Sequence, residues 1–194
     1  MPIAFALKDC NHTKIGRMSN LRPYKGITPK CADSAYVDES AVVIGDVTIG
    51  DKSSIWCTCV ARGDVNFIKI GKRSNIQDAS VLHVTHKNPD KHPEGYPLII
   101  GDDVTIGHRV TLHGCTLEDR TFIGMGAVVM DDAVVQSDSM VGAGALVTAG
   151  TIVESGWLYV GVPAKKKRRL SDEEIKWIKQ SALNYVAYSR DYLA

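Results

Sequence analysis

The sequence predicts an all-β fold with one C-terminal helix, in which hexapeptide repeats form a parallel β-helix. Three observations lead to this prediction: a bulky aliphatic residue recurs at every sixth position, glycine often follows it, and helical spacing replaces the repeat near the end of the chain. Neither an α-helix nor an ordinary strand needs a period of six. A parallel β-helix does, because each hexad lays one short strand and turns one corner.

The repeat extends over most of the chain, in four runs. Its aliphatic positions are Val37, Val43, Ile49 and Ile55; then Ile70, Ile76 and Leu82; then Ile100, Ile106 and Leu112; and last Leu117, Ile123, Val129, Val135, Val141, Val147 and Val153. One interruption contains residues 61–65, and the other is a charged, proline-containing stretch at 87–95. Insertions of this kind leave a solenoid at its corners, where sites often form.

Three units follow from this pattern: an N-terminal extension (1–20), a β-helix domain (21–164) and a C-terminal helix packed on it (165–194). The extension carries no identifiable chemistry, and its His12 is interpreted as a bystander. Ser171 and Glu174 have the spacing of a capping box. The apolar stripe that follows predicts a helix from about 172 to 192 along a flank of the prism. Its members are Ile175, Ile178, Ala182, Val186 and Ser189.

The composition is that of a soluble globular protein. Of the 194 residues, 44% are hydrophobic, and 23 basic against 22 acidic residues give a net charge of +1, which does not indicate a nucleic-acid partner. No stretch is long and apolar enough to cross a membrane. Five cysteines without framework spacing or a secretory signal indicate the cytoplasm. Cys57 and Cys59 are expected on one face, as a redox or metal pair or, the favoured interpretation, as small buried residues.

Two histidines occupy the same place in their hexads, since His83 follows Leu82 and His113 follows Leu112. They are 30 residues apart. If the second interruption loops out by about two hexads, the remaining 18 residues make one turn of a three-sided coil. The two imidazoles would then stack on adjacent coils, about 4.7–4.9 Å apart. Such a pair suits two ligands of a tetrahedral zinc ion.

His108 lies one place further along its hexad, after Ile106 and Gly107, and should point to another side of the prism. A single chain would struggle to bring three histidines to one ion. A neighbouring subunit could supply the third ligand, as closed rings of three allow. Ferrous iron or cobalt could replace zinc, since imidazoles and water do not select sharply. The remaining histidines, His12, His86 and His92, have no such register.

Polar residues also stand in the aliphatic pattern. Arg62 and Asp64 fall in the first interruption, and Asn75, Gln77 and Asp78 surround Ile76. Charges within such a core should be paired, because an unpaired buried charge is very costly. A salt bridge between subunits and a catalytic role are equally good explanations.

These residues together resemble the gamma-class carbonic anhydrases. The resemblance rests on Arg62-Gly63-Asp64, Asn75-Ile76-Gln77-Asp78, Leu82-His83, and Gly107-His108 through Leu112-His113-Gly114-Cys115, and it extends from residue 21 to residue 193. It implies a left-handed parallel β-helix, an exception to the usual crossover hand. It also implies a homotrimer that hydrates CO2 reversibly to bicarbonate.

The resemblance assigns roles residue by residue. One subunit would supply His83 and His113 to each metal, and its neighbour would supply His108. Arg62 would pair with Asp78 across the interface while Asp64 holds the arginine. Gln77 would hydrogen-bond the metal-bound water or the substrate, beside Asn75, and Tyr185 on the terminal helix would face the site.

The chain departs from the family's active branch at two acids. Val65 stands where that branch has an acid after its Arg-x-Asp motif, and His86 stands where it has an acid three residues after the first histidine. The ligand set is intact, but fast proton transfer is put in doubt. His86, His92 or Glu94 could act as the shuttle, since histidine titrates in the right range.

Alternative functions stay open. The same metal could hydrolyse a coenzyme A thioester, with the basic run Lys165–Arg169 as a phosphate clamp rather than a solvated corner. The segment Gly161-Val162-Pro163-Ala164-Lys165 resembles the end of hexapeptide acyltransferases, which would use a histidine as general base without metal. A scaffold with little or no catalytic activity is the fourth possibility.

Overall fold

The computed structural model describes residues 8–9 and 20–193, which form a left-handed parallel β-helix followed by one helix. The strands are short because each hexad turns a corner after two or three residues. Among the described residues, no helix has the length and apolar character needed to cross a membrane.

Among the residues that the structure describes, twenty-one strands precede the helix. The first seven are β1 (Lys8–Asp9), β2 (Leu21–Arg22), β3 (Lys30–Cys31), β4 (Tyr36–Val37), β5 (Val42–Ile49), β6 (Ser54–Ile55) and β7 (Val60–Ile70) in the described chain. The next seven are β8 (Asn75–Ile76), β9 (Val81–His83), β10 (Leu98–Ile100), β11 (Thr105–Ile106), β12 (Thr111–His113), β13 (Thr116–Leu117) and β14 (Phe122–Ile123). The last seven are β15 (Val128–Val129), β16 (Val134–Val135), β17 (Met140–Val141), β18 (Leu146–Val147), β19 (Ile152–Val153), β20 (Trp157–Val160) and β21 (Lys165–Arg169), before helix α1 (Asp172–Leu193).

The strands stack into the three faces of a prism. One face runs β9-β12-β15-β18, a second runs β10-β13-β16-β19, and the long strands β5 and β7 join the two. The third face runs from β4 through β6, β8, β11, β14, β17 and β20 to β21. Every aliphatic residue of the repeat except Val37 is at most 1% exposed. Burying each such side chain stabilises the fold by about 1.5–3 kcal/mol.

The first interruption of the repeat is a bulge rather than a missing coil. Ala61 fills the core position that the aliphatic pattern leaves open, and it is 1% exposed. Strand β7 pairs with β5 on both sides of the bulge. Within the bulge, Asp46 of β5 alone lies opposite residues 64–67 of β7. Because the bulge lengthens only the outer surface, the polar segment after Ala61 projects while the core register continues.

The second interruption leaves the prism as a 14-residue excursion, 84–97, between β9 and β10. Antiparallel bridges join Thr85 to Tyr96 and Asn88 to His92. The chain returns so that β10 pairs in register with β7. The loop therefore adds length without displacing the coil beneath it.

The glycines after the repeat aliphatics are explained by close stacking of the coils. A Cβ on Gly124 would lie 2.4 Å from the backbone nitrogen of Ala143, and one on Gly50 would lie 2.4 Å from the carbonyl oxygen of Gly71. Real Cβ atoms do not approach so closely. Glycine at this corner is required by the neighbouring coil.

Helix α1 begins with the predicted capping box. The Glu174 amide donates to Ser171 Oγ at 3.3 Å, and the Ser171 amide donates to Glu174 Oε2 at 2.9 Å. The buried stripe contains Ile178, Ala182, Val186 and Ser189 as expected, with Ser181 in addition and Ile175 only partly buried.

The helical unit begins later than the predicted boundary at 165. Residues Lys165–Arg169 form strand β21, antiparallel to β20, so the basic run is an added strand of the third face and not a corner beside the helix. At the other end, Lys8–Asp9 pairs antiparallel with Lys30–Cys31, so the extension contributes a strand. His12 lies outside the described residues.

Stacking of the coils makes a specific prediction. Gly124→Ala forces a methyl group against the backbone of the next coil and should lower the free energy of unfolding by about 1–3 kcal/mol. The matched control is Gly126→Asn. Gly126 has φ +69° and no atom within 4 Å of the position a Cβ would take, and asparagine tolerates that conformation. Chemical denaturation of both variants tests this, and equal losses would contradict the stacking argument.

Candidate metal centre

The first half of the candidate site is a pair of histidines on adjacent coils. Strands β9 and β12 are parallel neighbours, and their register sets Leu82 beside Leu112 and His83 beside His113. This is the stacking that the shared hexad position predicts. The ring centroids are 5.0 Å apart, and His83 Nδ1 lies 3.0 Å from His113 Nε2.

His83 is oriented by the bulged segment of β7. Its Nε2–H donates to Asp64 Oδ1 at 3.0 Å, and Arg62 Nη1 donates to the other Asp64 oxygen at 2.5 Å. Burial would raise the pKa of Asp64, but the hydrogen bonds from Arg62 and His83 outweigh it, so its pKa lies below the ordinary value. Burial also lowers the pKa of His83, against the pull of Asp64. His83 is therefore favoured as a neutral imidazole.

His113 is oriented by a carboxylate that sequence reasoning missed. Its Nδ1–H donates to Asp131 Oδ1 at 2.7 Å, and the hydroxyl of Thr85 donates to the same carboxylate at 2.9 Å. Asp131 follows His113 by 18 residues, the length of one coil. Counting one coil forward from each histidine would have found it.

The orientation of the two rings is what a cation requires. When each ring gives an N–H to its carboxylate, the second nitrogens, His83 Nδ1 and His113 Nε2, can present lone pairs. These lone pairs face each other at 3.0 Å and repel unless a proton or a metal lies between them. Two nitrogen ligands of a tetrahedral zinc ion stand about 3.3 Å apart when each Zn–N bond is about 2.0–2.1 Å. The donor pair therefore fits the predicted metal.

The second half of the site lies at another corner of the prism. His108 Nδ1–H donates to Asp78 Oδ2 at 2.8 Å, and both side chains are 44% exposed. In the described part of the chain, no hydrogen bond or ring contact joins His108 to His83 or His113. Nor does any group of three or more His, Cys, Asp or Glu side chains there have a metal-binding arrangement. One chain thus presents two of the candidate ligand histidines on one face and the third on another.

Asn75 and Gln77 lie beside Asp78, on the half that carries His108. Both are buried, at 1% and 6% exposure. Gln77 Nε2 donates to Asn75 Oδ1 at 3.2 Å, and Asn75 Nδ2 donates to Thr105 Oγ1 at 3.0 Å. The Thr105 hydroxyl donates in turn to Ser181 on α1 at 3.2 Å. The helix thereby fixes the orientation of the Gln77 amide.

Tyr185 belongs to the same half. It lines an open cleft of about 400 Å³ whose walls are Trp56, Cys57, Asp78, Tyr185, Tyr188, Asp191 and Tyr192. Tyr185 packs edge-on against Trp56 with ring centroids 5.6 Å apart. Burial, and next the charge of Asp78, raise the pKa of the Tyr185 phenol. The phenol therefore remains a hydrogen-bond donor at neutral pH.

The predicted shuttle residues are spread over the surface. Val65 is 44% exposed on the bulge that carries Asp64. His86 is exposed on the excursion, with its ring 6.0 Å from that of His92. The Glu94 carboxylate accepts from Lys87 at 2.7 Å, which lowers its pKa. None of His86, His92 and Glu94 shares a hydrogen bond or ring contact with the paired histidines in the described residues.

The two cysteines predicted to share a face do not. Thr58 between them has φ +58° and turns the corner. Cys59 is 1% exposed, with its thiol 3.1 Å from the Gln77 carbonyl oxygen, whereas Cys57 is partly exposed and directs its thiol to Asp38 Oδ2 at 3.3 Å. Both thiols are free. The buried-residue interpretation is right for Cys59 and wrong for Cys57.

A left-handed β-helix with histidines held by carboxylates on two faces defines a class of hexapeptide-repeat protein. Comparison with known proteins identifies the family within that class. The chain is 51% identical to Protein YrdA of Escherichia coli over 173 residues, 89% of this chain and 94% of YrdA. It is 46% identical over 172 residues to a protein of Geobacillus kaustophilus named carbonic anhydrase, covering 89% and 90% of the two chains.

A solved structure agrees on the fold. A hexapeptide transferase family protein from Anaplasma phagocytophilum has a TM-score of 0.83 and 45% identity, covering 90% of this chain and 98% of that one. No protein-family model matches the chain. With relatives this similar over nearly their whole length, the chain belongs to the gamma-class carbonic anhydrase family.

The carboxylate on His113 gives a prediction. Asp131→Asn should weaken zinc binding by about 10- to 100-fold, the usual effect of losing a carboxylate that orients a ligand histidine. Asp132→Asn is the control, because the adjacent carboxylate is exposed and has no ion pair in the described residues. Competition with a zinc-chelating dye measures both affinities. Equal affinities in the two variants would show that Asp131 does not orient a ligand.

Proposed function

We propose that the protein is a metal-dependent carbonic anhydrase that hydrates CO2 reversibly to bicarbonate. Its metal, zinc or alternatively iron or cobalt, would be held by His83 and His113 of one subunit and His108 of a neighbour in a homotrimer. The observation that carries the proposal is that His83 Nδ1 and His113 Nε2 face each other at 3.0 Å, with each ring held by its own carboxylate. The names of the relatives support the same activity.

The proposal that two subunits share the site is supported by the charged side chains that each half leaves exposed in a single chain. Arg62 and Asp78 are both 44% exposed in a single chain, although each has a partner there. They lie on the two different halves of the site. If Arg62 of one subunit meets Asp78 of the next, the contact brings His108 towards the paired histidines. It also joins two charges whose separation would be costly once the interface excludes water.

The proposed chemistry divides between the metal and the side chains. When bound, the metal acts as a Lewis acid that makes water nucleophilic near neutral pH. Asp64 and Asp131 hold the two imidazoles in the tautomers that present their lone pairs. Gln77, fixed through Asn75 to α1, presents its amide to the reacting oxygen of water or CO2. Tyr185 donates a hydrogen bond from the wall of the cleft.

We expect the release of the proton from the site to solvent to limit the hydration rate. The side chain of Val65 neither accepts nor donates a proton, and it replaces a carboxylate next to Asp64. His86 is exposed and is the proposed acceptor at the site entrance. Since His86 has no hydrogen bond or ring contact with the paired histidines in the described residues, we expect slow proton transfer to solvent.

A second candidate function is supported by the cleft. Its volume of about 400 Å³ and its aromatic walls offer room for an organic acyl group, which CO2 does not need. Hydrolysis of a thioester would use the same metal and side chains. Acyl transfer, as suggested by the name of the Anaplasma relative, would need only a histidine base. Removal of the metal by a chelator distinguishes acyl transfer from the metal-dependent reactions. Thioester hydrolysis and CO2 hydration would stop, while acyl transfer would continue.

Subunit complementation tests the shared site. His108→Ala and His83→Ala/His113→Ala should each bind no catalytic metal alone. When the two proteins are unfolded, mixed equally and reassembled, about one quarter of the sites should join an intact pair to an intact His108, as random closure of a cyclic trimer requires. Metal content and CO2 hydration should both return to about that fraction.

The alternative outcome is equally clear. If all three ligands came from one chain, mixing would restore neither metal nor activity. Co-assembly is verified by mass spectrometry with one variant carrying an affinity tag. Recovery well above the expected fraction would contradict random sharing of ligands between adjacent subunits.

Proton transfer gives the next prediction. The hydration rate should rise with imidazole concentration, because the added base accepts the proton that no side chain accepts well. Val65→Glu with His86→Glu should raise the rate in dilute buffer and remove much of that dependence. The control is Phe67→Glu, an exposed position on the same strand. Stopped-flow hydration measures all three, and a rate independent of buffer in the wild type would refute the argument.

A further inference from the structure

Strand β21 is an edge made entirely of exposed cations. It ends the third face of the prism and has one neighbour, β20. All five residues, Lys165–Arg169, are exposed. No other strand pairs with its outer edge in the part of the chain that the structure describes. The Arg169 carbonyl oxygen accepts from Arg168 Nη1 at 3.0 Å, and the other outward backbone groups are available to a partner.

The five charges are not equivalent. Lys166 donates to Glu154 Oε2 at 2.6 Å and lies 3.9 Å from the ring centroid of Trp157. Arg168 makes two hydrogen bonds to the Glu174 carboxylate, each 2.7 Å. Lys165, Lys167 and Arg169 have no carboxylate within ion-pair distance among the described residues. The Arg169 guanidinium lies over the Trp157 ring, 4.9 Å from its centroid, so Lys165 and Lys167 are the uncompensated cations among these residues.

Repulsion between like charges prevents the β21 strands of two copies of this chain from pairing edge to edge. A second copy of the chain cannot pair its β21 with this one without placing lysine and arginine side chains opposite each other. The same charges favour an edge partner of opposite sign. The chain's own acidic pairs, such as Asp102-Asp103, occupy corners and are already used in hydrogen bonds.

We propose that β21 is the docking edge for an extended acidic segment of a partner protein, which adds as a further strand. Main-chain hydrogen bonds to the free edge would supply part of the affinity. Carboxylates of the segment would meet the exposed side chains of Lys165 and Lys167, beside the irregularity in the pairing of β21 with β20. A phosphate chain matches the charge but offers no backbone to pair with the edge.

Direct binding tests the charges. The probe is a fluorescein-labelled seven-residue peptide with glutamate at its second, fourth and sixth positions, measured by anisotropy against the intact protein. Lys165→Gln/Lys167→Gln should weaken binding by about fivefold, the combined effect of two exposed ion pairs. The control, Lys166→Gln/Glu154→Gln, removes a cation with its partner and should stay within about twofold. Equal losses in both variants would overturn the proposal.

A backbone test separates strand addition from simple charge attraction. N-methylation of the peptide at alternate residues should abolish binding in one of the two registers and leave the other intact, because only one set of amides faces β21. Bound peptide should also slow hydrogen exchange within Lys165–Arg169. Unchanged binding of both methylated peptides, or displacement by inorganic polyphosphate at much lower concentration, would mean an anion site rather than a strand-docking edge.

Discussion

The hydrogen-bonded ladder between successive coils is the constraint on which the rest of the structure depends. Parallel strands must lie about 4.8 Å apart, so each side chain has a neighbour at the same position in the next coil. That spacing brings His113 to His83 and Asp131 to His113. The register cannot slip by one residue, because a slip would expose every buried aliphatic side chain. The geometry of the imidazole pair is therefore inherited from the backbone.

Electrostatics then determine which nitrogen of each ring is available. Three histidines each meet one carboxylate, from Asp64, Asp131 or Asp78. The carboxylates lie on different coils, yet each receives one ring N–H and leaves the opposite nitrogen as an acceptor. The ladder holds His83 Nδ1 and His113 Nε2 3.0 Å apart, a contact that requires a proton or a cation between the two nitrogens. Sites of this kind are organised before any ligand arrives.

Much of the fold could be predicted from periodicity, because a six-residue repeat has few other physical explanations. The pairing of His83 with His113 followed from the number of hexads around the excursion, and the capping box at Ser171 followed from local spacing. Asp131 was missed because it lies one 18-residue coil beyond His113, and spacing within single hexads does not reveal a contact between coils.

Other errors arose where backbone conformation overrides the pattern. Cys57 and Cys59 are separated by a corner at Thr58, which has a positive φ. A threonine in the sequence gives no sign of that conformation, because positive φ is expected mainly of glycine. The strand at Lys165–Arg169 was missed because a run of cations has low strand preference on its own, and it forms only because β20 offers an edge. Asp78 lies beside His108 through the repeat itself, because the two are 30 residues apart in the register that pairs Ile76 with Ile106.

The excursion at 84–97 has a consequence for how such a protein can change over time. Its two ends are held by the bridge between Thr85 and Tyr96, and β10 resumes the coil in register with β7. Since loop closure becomes only slowly more costly with length, residues can be added or removed here at little thermodynamic cost. The loop that follows His83 can thus diversify in evolution while the two paired histidines keep their positions.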